Sequence, residues 1–337
     1  MTDLPALADI LETARVVALP MHTRFRGVDV REALLFEGPQ GWAEFSPFAE
    51  YDDAEAATWL AAGLADAWRP RPSPRRERIP VNATVPAIAA AHVPEVLERF
   101  DGCRTAKVKV AESGQTLADD VDRVRAVRSC MGAEGRIRID ANGGWNVDEA
   151  ERAVHALAPF DLEYAEQPCA SVDELAELRT RIAYLDIPIA ADESVRKATD
   201  PLAVARAGAA DLLVVKAQPL GGIERALAIV AEAGLPVVVS SALDTAVGLS
   251  LGAALAAALP DLDYDCGLGT AALFADDVAE ARPIAGTVSP ARVTPDPAAL
   301  TRLAAPADRR TWWIDRLVRC HALLAEGAAQ GAAERRG

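Results

Sequence analysis

Lysine is the conspicuous shortage in this 337-residue chain: of 35 basic residues only four, Lys107, Lys109, Lys197 and Lys216, are lysine, and the rest are arginine. A chain that meets its general need for positive charge with arginine keeps lysine for places where arginine cannot serve. Arginine does not act as a proton acceptor near neutral pH, whereas a desolvated lysine does. Histidine is as scarce, and none of His22, His92, His155 and His321 falls at the end of an expected strand, which argues against a histidine base. The five cysteines are odd in number, widely spaced and form no C-x-x-C, which suits a reduced compartment with core packing as their role. Net positive charge is missing as well: a balance of −15 argues against a nucleic-acid or anionic-membrane partner. Long hydrophobic runs are absent. The most apolar one, Ala246 to Leu259, is about three to four turns long and contains Gly248 and Gly252, too short to span a bilayer. The first residues are acidic and lack a charged-then-apolar signal pattern. A cytoplasmic protein is expected, acting on a small molecule with no protein partner implied. No G-x-S-x-G and no phosphate-binding glycine loop occurs, so neither a serine hydrolase of that type nor a P-loop enzyme is supported.

What is present is the composition of a globular protein, 51% hydrophobic and 25% charged, long enough for one large barrel-like domain and an accessory domain. Residues Ala14 to Phe48 read as antiparallel strands around the turn Gly38-Pro39-Gln40-Gly41. A helix capped by Asp52 or Asp53 then runs to about Trp68. The proline-rich, charged segment Arg69 to Arg76 is a connector, so residues 1–78 form a small α+β module. From Ile79 short apolar strands alternate with amphipathic helices. Strands are expected at Pro80–Val85, Thr105–Val110, Arg136–Asp140, Leu162–Gln167, Ile187–Asp192, Asp211–Lys216, Pro236–Ser240 and Leu262–Cys266. Helices are expected at about 92–100, 116–130, 147–157, 171–182, 199–206, 222–233 and 244–258. Such alternation over residues 79–270 implies a parallel sheet, and polar residues at nearly every strand end favour a β/α barrel over an open sheet. Residues 271–337 leave the alternation. They carry a proline-rich passage and a helix near Arg309–Leu324, and are expected to pack back on the N-terminal module, with a disordered tail at 327–337.

The strand ends spell Lys107 and Lys109, then Asp140, Glu166, Asp192 and Lys216. From Lys109 the successive gaps are 31, 26, 26 and 24 residues, about one strand–helix unit each, so each group lands one strand further round the same rim. Lys107 and Lys109 share a face of their strand, and two adjacent ammonium groups favour the loss of a proton from one. Three carboxylates on neighbouring strands repel unless a cation neutralises them, and oxygen ligands without histidine or thiolate select Mg²⁺ or a similar hard ion. Lys216 ends a strand apolar enough to be buried on both faces, and it looks across the barrel at Lys109. Substrate between two amines and a metal suits proton abstraction beside a carboxylate. Lys197, next to Arg196 on a loop, reads as a surface residue.

This series, lysine-x-lysine, aspartate, glutamate, aspartate, lysine, resembles the muconate-lactonizing subgroup of the enolase superfamily. The resemblance runs over nearly the whole chain and implies a modified TIM barrel, (β/α)7β, with an α+β capping domain formed by the N-terminal module and the C-terminal segment. Thr23 to Gly27, Gly41 to Phe48, Ser240 to Leu249 and Cys266 to Thr270 further resemble the o-succinylbenzoate synthase family of the actinobacterial type. That likeness implies syn dehydration of 2-succinyl-6-hydroxy-2,4-cyclohexadiene-1-carboxylate in menaquinone biosynthesis. It implies Mg²⁺, with Mn²⁺ as a substitute, on Asp140, Glu166 and Asp192. Lys109 is then the base, Lys216 a cation over the enediolate, and Lys107 the residue that keeps Lys109 unprotonated. Asn142, Ser240, Ser241, Arg24 and Phe25 are expected at the substrate. N-acylamino acid racemases and dipeptide epimerases use the same paired lysines, and Asp263-Tyr264-Asp265 resembles the acidic pair with which the epimerases hold a substrate ammonium.

Overall fold

Each N-terminal segment has the pattern its structure needs. In the structure, a computed structural model describing residues 4–197 and 200–334, helix α1 (Leu7–Thr13) precedes an antiparallel meander of β1 (Arg15–Phe25), β2 (Val28–Gly38) and β3 (Gly41–Phe45). Helix α2 (Asp53–Trp68) follows, its first turn closed by the Asp52 carboxylate, which accepts from the Glu55 amide at 2.8 Å. Helix α1 lies in a stretch that carried no helix expectation.

After the connector, β4 (Ile79–Pro80) precedes a sheet of seven parallel strands, the first of which is β5 (Ala83–Val85). The others are β6 (Thr105–Lys109), β7 (Arg136–Asp140), β8 (Leu162–Glu166), β9 (Ile189–Ala191), β10 (Leu212–Val215) and β11 (Val237–Val239). They lie in the order β11-β10-β9-β8-β7-β6-β5, so each crossover leads to the neighbouring strand. The connecting helices are α3 (Val93–Leu97), α4 (Leu117–Met131), α5 (Val147–Leu157), α6 (Val172–Arg181), α7 (Glu193–Arg196), α8 (Ala203–Arg206), α9 (Ile223–Ala233) and α10 (Ala246–Ala258). Three of them begin with a reciprocal cap that can be read in the sequence: Thr116 with Asp119, Asn146 with Glu149 and Ser171 with Glu174. In each, the first side chain accepts from the third residue's amide and the acid accepts in return, satisfying two amides the helix leaves free.

Where the sequence suggested an eighth strand at Leu262–Cys266, the chain makes only single bridges, Val81 with Cys266 and Ser240 with Gly267. These join β11 to the start of the sheet and close the ring. Polar residues with exposed side chains at Asp261 and Asp263 leave too little apolar run for a full strand.

Helix α10 explains the most apolar run in the chain. It is buried on every side except at its last residue, between the barrel and the capping sheet. A Cβ on Gly248 would stand 2.7 Å from the Glu44 carboxylate, so the close approach of the two domains there requires glycine. The C-terminal segment contributes β12 (Thr287–Val288), paired with β4, then α11 (Pro297–Arg302) and α12 (Ala307–Glu334). Helix α12 packs on α2. Its Trp313 indole donates to Glu32 at 2.9 Å, and its buried Arg316 donates to the carbonyl of Phe48 at 3.0 Å and to that of Tyr51. The backbone is helical through Glu334, where composition suggested a disordered tail, because Ala and Glu continue the helix already started. Residues 335–337 lie outside the described residues. No helix among the described residues is long and apolar enough to cross a membrane.

Candidate active site

Strand register gathers the charged residues. In β6, Ala106 and Val108 face the helices and are fully buried in the main core, which turns Thr105, Lys107 and Lys109 to the barrel interior. Lys109 lies opposite Asp140 on β7, and Asp140 opposite Glu166 on β8, so three charged side chains sit at one level on adjacent strands. Asp192 follows β9 and Lys216 follows β10.

Every carboxylate is answered by a cation. The Lys107 ammonium bridges Asp140 at 2.9 Å and Glu166 at 2.8 Å. Lys109 donates to the same Asp140 oxygen at 2.6 Å and to Asn142 Oδ1 at 2.5 Å. Lys216 donates to Asp192, which also takes Arg196 Nε at 3.1 Å. Burial alone would raise Asp140, but Lys107 and Lys109 outweigh it and hold the carboxyl well below the usual range. Burial is likewise overcome at Asp192, which Lys216 and Arg196 bring down to about 2. Glu166 goes the other way, pushed up to about 7 by burial and by the Asp140 charge beside it. Burial would lower Lys107, yet Asp140 and Glu166 raise it well above an ordinary lysine, so it stays an ammonium. Burial lowers Lys216 against the pull of Asp192.

Two adjoining cavities open at this rim. The inner one, about 40 Å³, is lined by Lys107, Lys109, Asp140, Lys216, Ser240 and Ser241 with Thr84, Phe25, Phe48 and Thr270. At that size it takes little more than a water molecule, because the lysines reach across to the carboxylates. The outer one, about 560 Å³, shares Phe25, Arg26, Lys109, Asn142 and Arg196 with it. A separate cavity of about 350 Å³ between α2 and the start of α9 is walled by residues such as Ala61, Ala65 and Ile223, and none of the strand-end charges reaches it.

Of the expected substrate contacts, Asn142, Ser240, Ser241 and Phe25 line the inner cavity, and Phe25 lies 5.5 Å from the Lys109 nitrogen. Arg24 does not. It is two-thirds exposed, paired with Asp29 at 3.1 Å, and lines only the outer cavity. Alternation along β1 turns Phe25 inward and Arg24 away. The Asp263–Asp265 pair is not at the rim either. Asp265 binds Thr105 Oγ1 at 2.6 Å and Arg136 at 2.9 Å, at the opposite end of β6 and β7, and Asp263 is exposed. The chain re-enters the ring from below at this point, so Asp265 meets strand beginnings.

Three residues at the site, Arg196, Gln167 and Phe48, carried no assigned role, while Arg26 belongs to the 23–27 loop expected at the substrate. Arg196, read from sequence as part of a loop, is buried because α7 forms one helical turn that brings it back over Asp192, an i,i+4 pairing that the spacing of the two residues allowed. Gln167 aims Asp192: its Oε1 accepts from the Asp192 amide at 2.9 Å and the Ser194 amide at 3.1 Å. Arg26 and Phe48 come from the capping domain, with the Arg26 guanidinium 4.0 Å over the Phe48 ring. Arg31 also lies over that ring, at 4.3 Å, and donates to the carbonyls of Leu243 at 3.0 Å and Ala242 at 3.3 Å. Leu243 sits at φ +59°, a conformation uncommon for leucine, and Arg31 fixes it beside Ser240 and Ser241.

Asp140, Glu166 and Asp192 suit a hard divalent cation. All are oxygen donors, all are buried, and Glu166 Oε2 has no hydrogen-bond partner. Among the described residues no three acidic, histidine or cysteine side chains are gathered as a ready ligand cluster, since lysine ammonium groups hold the carboxylates one or two at a time.

Comparison with known proteins agrees with this geometry. Residues 90–289 match the family described as enolase C-terminal domain-like, and residues 16–67 the one described as enolase N-terminal domain-like. The chain is 59% identical over 323 residues to the o-succinylbenzoate synthase of Mycolicibacterium smegmatis, covering 95% of this chain and 99% of that one. It is equally similar to the o-succinylbenzoate synthase of Mycobacterium tuberculosis strain H37Rv, 97% of which is covered. In fold it resembles the muconate lactonizing enzyme of Pseudomonas fluorescens, with TM-score 0.73 and 19% identity over 87% of this chain and 98% of that one. It also resembles the L-Ala-D/L-Glu epimerase of Bacillus subtilis, with TM-score 0.69 and 22% identity over 84% of this chain and 96% of that one. The chain therefore belongs to the enolase superfamily and, within it, to the o-succinylbenzoate synthases, a family of carbon–oxygen lyases.

Proposed function

We propose that the chain catalyses the divalent-metal-dependent syn dehydration of 2-succinyl-6-hydroxy-2,4-cyclohexadiene-1-carboxylate to o-succinylbenzoate, a step of menaquinone biosynthesis in the cytoplasm. The observation that carries this is the pair Lys109 and Lys216 in the wall of one cavity, each tethered to a carboxylate at a strand end.

Asp140, Glu166 and Asp192 would hold Mg²⁺ or Mn²⁺. The ion supplies positive charge against the substrate carboxylate and the electrons it receives as the α-proton leaves. Lys109, on the rim and only partly buried, acts as the neutral amine that takes that proton. It becomes the ammonium and returns a proton to the departing hydroxide, so water leaves, the ring becomes aromatic and the amine is restored. One residue serving both steps fits loss of both groups from one face. Lys216 provides a cation on the enediolate. Lys107, kept charged by Asp140 and Glu166, bonds the same Asp140 oxygen as Lys109 and sets a fixed positive charge beside the base. Asn142 orients Lys109, and Ser240 and Ser241 face the substrate from β11.

A racemase or epimerase would need the same lysines. Of the acidic pair that would have held a substrate ammonium, Asp265 bonds Arg136 and Thr105 at the strand beginnings and Asp263 is exposed, which weighs toward the dehydratase. The test is conversion of the cyclohexadiene acid by purified protein with Mg²⁺ and with a chelator. Turnover that the chelator abolishes is expected. No conversion, together with α-proton exchange into an N-acylamino acid or a dipeptide in deuterium oxide, would replace the dehydratase reading with the racemase or epimerase one.

A further inference from the structure

All four of the scarce lysines line the two adjoining cavities. Lys107, Lys109 and Lys216 wall the inner one, and Lys109 and Lys197 the outer. The proposed chemistry uses three and leaves Lys197 without a task; it is at the surface, as expected from sequence, and there it lines the wall of the outer cavity. Lys197 is exposed, with its ammonium 4.4 Å from the centre of the Tyr51 ring. The hydroxyl of that tyrosine accepts from Arg26 at 2.6 Å and Arg196 at 3.1 Å. Three cations thus surround one phenol.

The balance of charge is equally unusual. The chain carries a net −15, yet with Lys109 as the neutral base the outer cavity is still lined by four cations, Arg24, Arg26, Arg196 and Lys197, against Glu112 and Glu193. An excess of positive charge in a concave site focuses potential on an incoming anion. Arg196 already serves Asp192 and Glu193, Arg24 pairs with Asp29 at 3.1 Å and Arg26 reaches Glu50 at 3.8 Å, whereas exposed Lys197 rests on a ring face and is the charge most open to a ligand.

We propose that Lys197, supported by Arg26, determines specificity by binding the second carboxylate of a dicarboxylate substrate. This rests on the dehydration reading, in which the substrate has one carboxylate on the ring and one at the end of a four-carbon succinyl arm. The ring carboxylate belongs at the inner lysine–carboxylate site. An inner space of about 40 Å³ has no room for the arm, and the shared walls at Phe25, Arg26, Asn142 and Arg196 lead it outward to Lys197. A lysine suits this place because its long stem lets the ammonium follow a flexible arm from a resting position on Tyr51.

The test compares wild type, Lys197→Ala and Lys197→Arg, all full-length with Mg²⁺, on the natural diacid and on its analogue with the succinyl carboxylate converted to an amide. For Lys197→Ala on the diacid, KM rises about fivefold to tenfold with kcat within about twofold, as for one partly exposed ion pair, and Lys197→Arg recovers most of the loss. On the amide, wild type and Lys197→Ala share one raised KM. An unchanged KM for Lys197→Ala on the diacid, or an equal loss on diacid and amide, overturns the proposal while leaving the dehydration reading intact. Wild type that turns over neither compound overturns that reading, and the proposal with it.

Discussion

The two ends of the barrel are built on the same strands with different cations. At the C-terminal rim, Lys107, Lys109 and Lys216 answer Asp140, Glu166 and Asp192. Lower on β7, fully buried Arg138 donates to Glu163, to the Asp265 carbonyl at 2.6 Å and to Asn82 at 3.3 Å, and lies 4.8 Å from the Tyr164 ring. Arg136 joins Asp265 and Thr105 at the strand beginning. Both ends bury ion pairs, which cost desolvation wherever they occur. They differ in what the cation can do next. A guanidinium holds its proton and fills several fixed hydrogen bonds, which suits a plug. An ammonium is a compact charge with three rotatable donors, one proton of which can be lost, which suits a reacting centre.

The sharpest way to break this contrast is at Lys109. Lys109→Ala is expected to lower turnover about 10³-fold or more in the dehydration assay while the melting temperature barely moves. Lys109→Arg should fail equally, since it restores charge without a removable proton; recovery of activity by arginine would mean that Lys109 is an electrostatic residue. Lys107→Ala comes next, with a loss of about tenfold to a hundredfold, because it removes a neighbouring charge and leaves the base in place. A loss at Lys107 exceeding that at Lys109 would reverse the proposed roles.

At the other end the expected effect is on folding. Arg138→Ala leaves Glu163 without its buried partner and should cost about 3 kcal/mol in denaturant unfolding, with kcat per folded molecule little changed. A fully stable Arg138→Ala with no activity would erase the distinction between rim and floor. The smallest effect is sought between the domains. Asp277 accepts the amides of Val278 and Ala246 and has no basic side chain among its partners; burial pushes it up to about 7. With the folded-state pKa raised, the stability its protonated form provides is present at low pH and is lost as pH climbs from about 4 through 7. Asp277→Asn should therefore melt like wild type near pH 4 and gain about 1–2 kcal/mol relative to it by pH 8. Equal pH dependence of the two proteins would show that the amides alone satisfy the charge.

The periodic features were the legible ones. Lys109, Asp140, Glu166, Asp192 and Lys216 are spaced by whole strand–helix units, and alternation within β6 fixes which lysines face inward, so the rim could be read residue by residue. The helix starts at Thr116, Asn146 and Ser171 were legible because their caps are local. The closing passage at 262–266 was not, since two single bridges leave almost no sequence signature. The positions of Arg24, at the outer cavity only, and of Asp265, at the strand beginnings, were not legible for related reasons: one residue of phase on β1, and the direction in which the chain re-enters the ring, each decide which end or face a charge reaches.

By itself the sequence determined the alternating architecture, the order of charged residues round the rim and the oxygen-only character of the acidic set, because these follow from periods and residue types along one chain. Only the tertiary structure decided which cation meets which carboxylate, that Arg196 turns in while Arg24 turns out, and that Arg26 and Phe48 wall the cavity from another domain. Pairings of that kind depend on side-chain reach and on the seating of one domain against another, quantities that spacing along the chain does not encode.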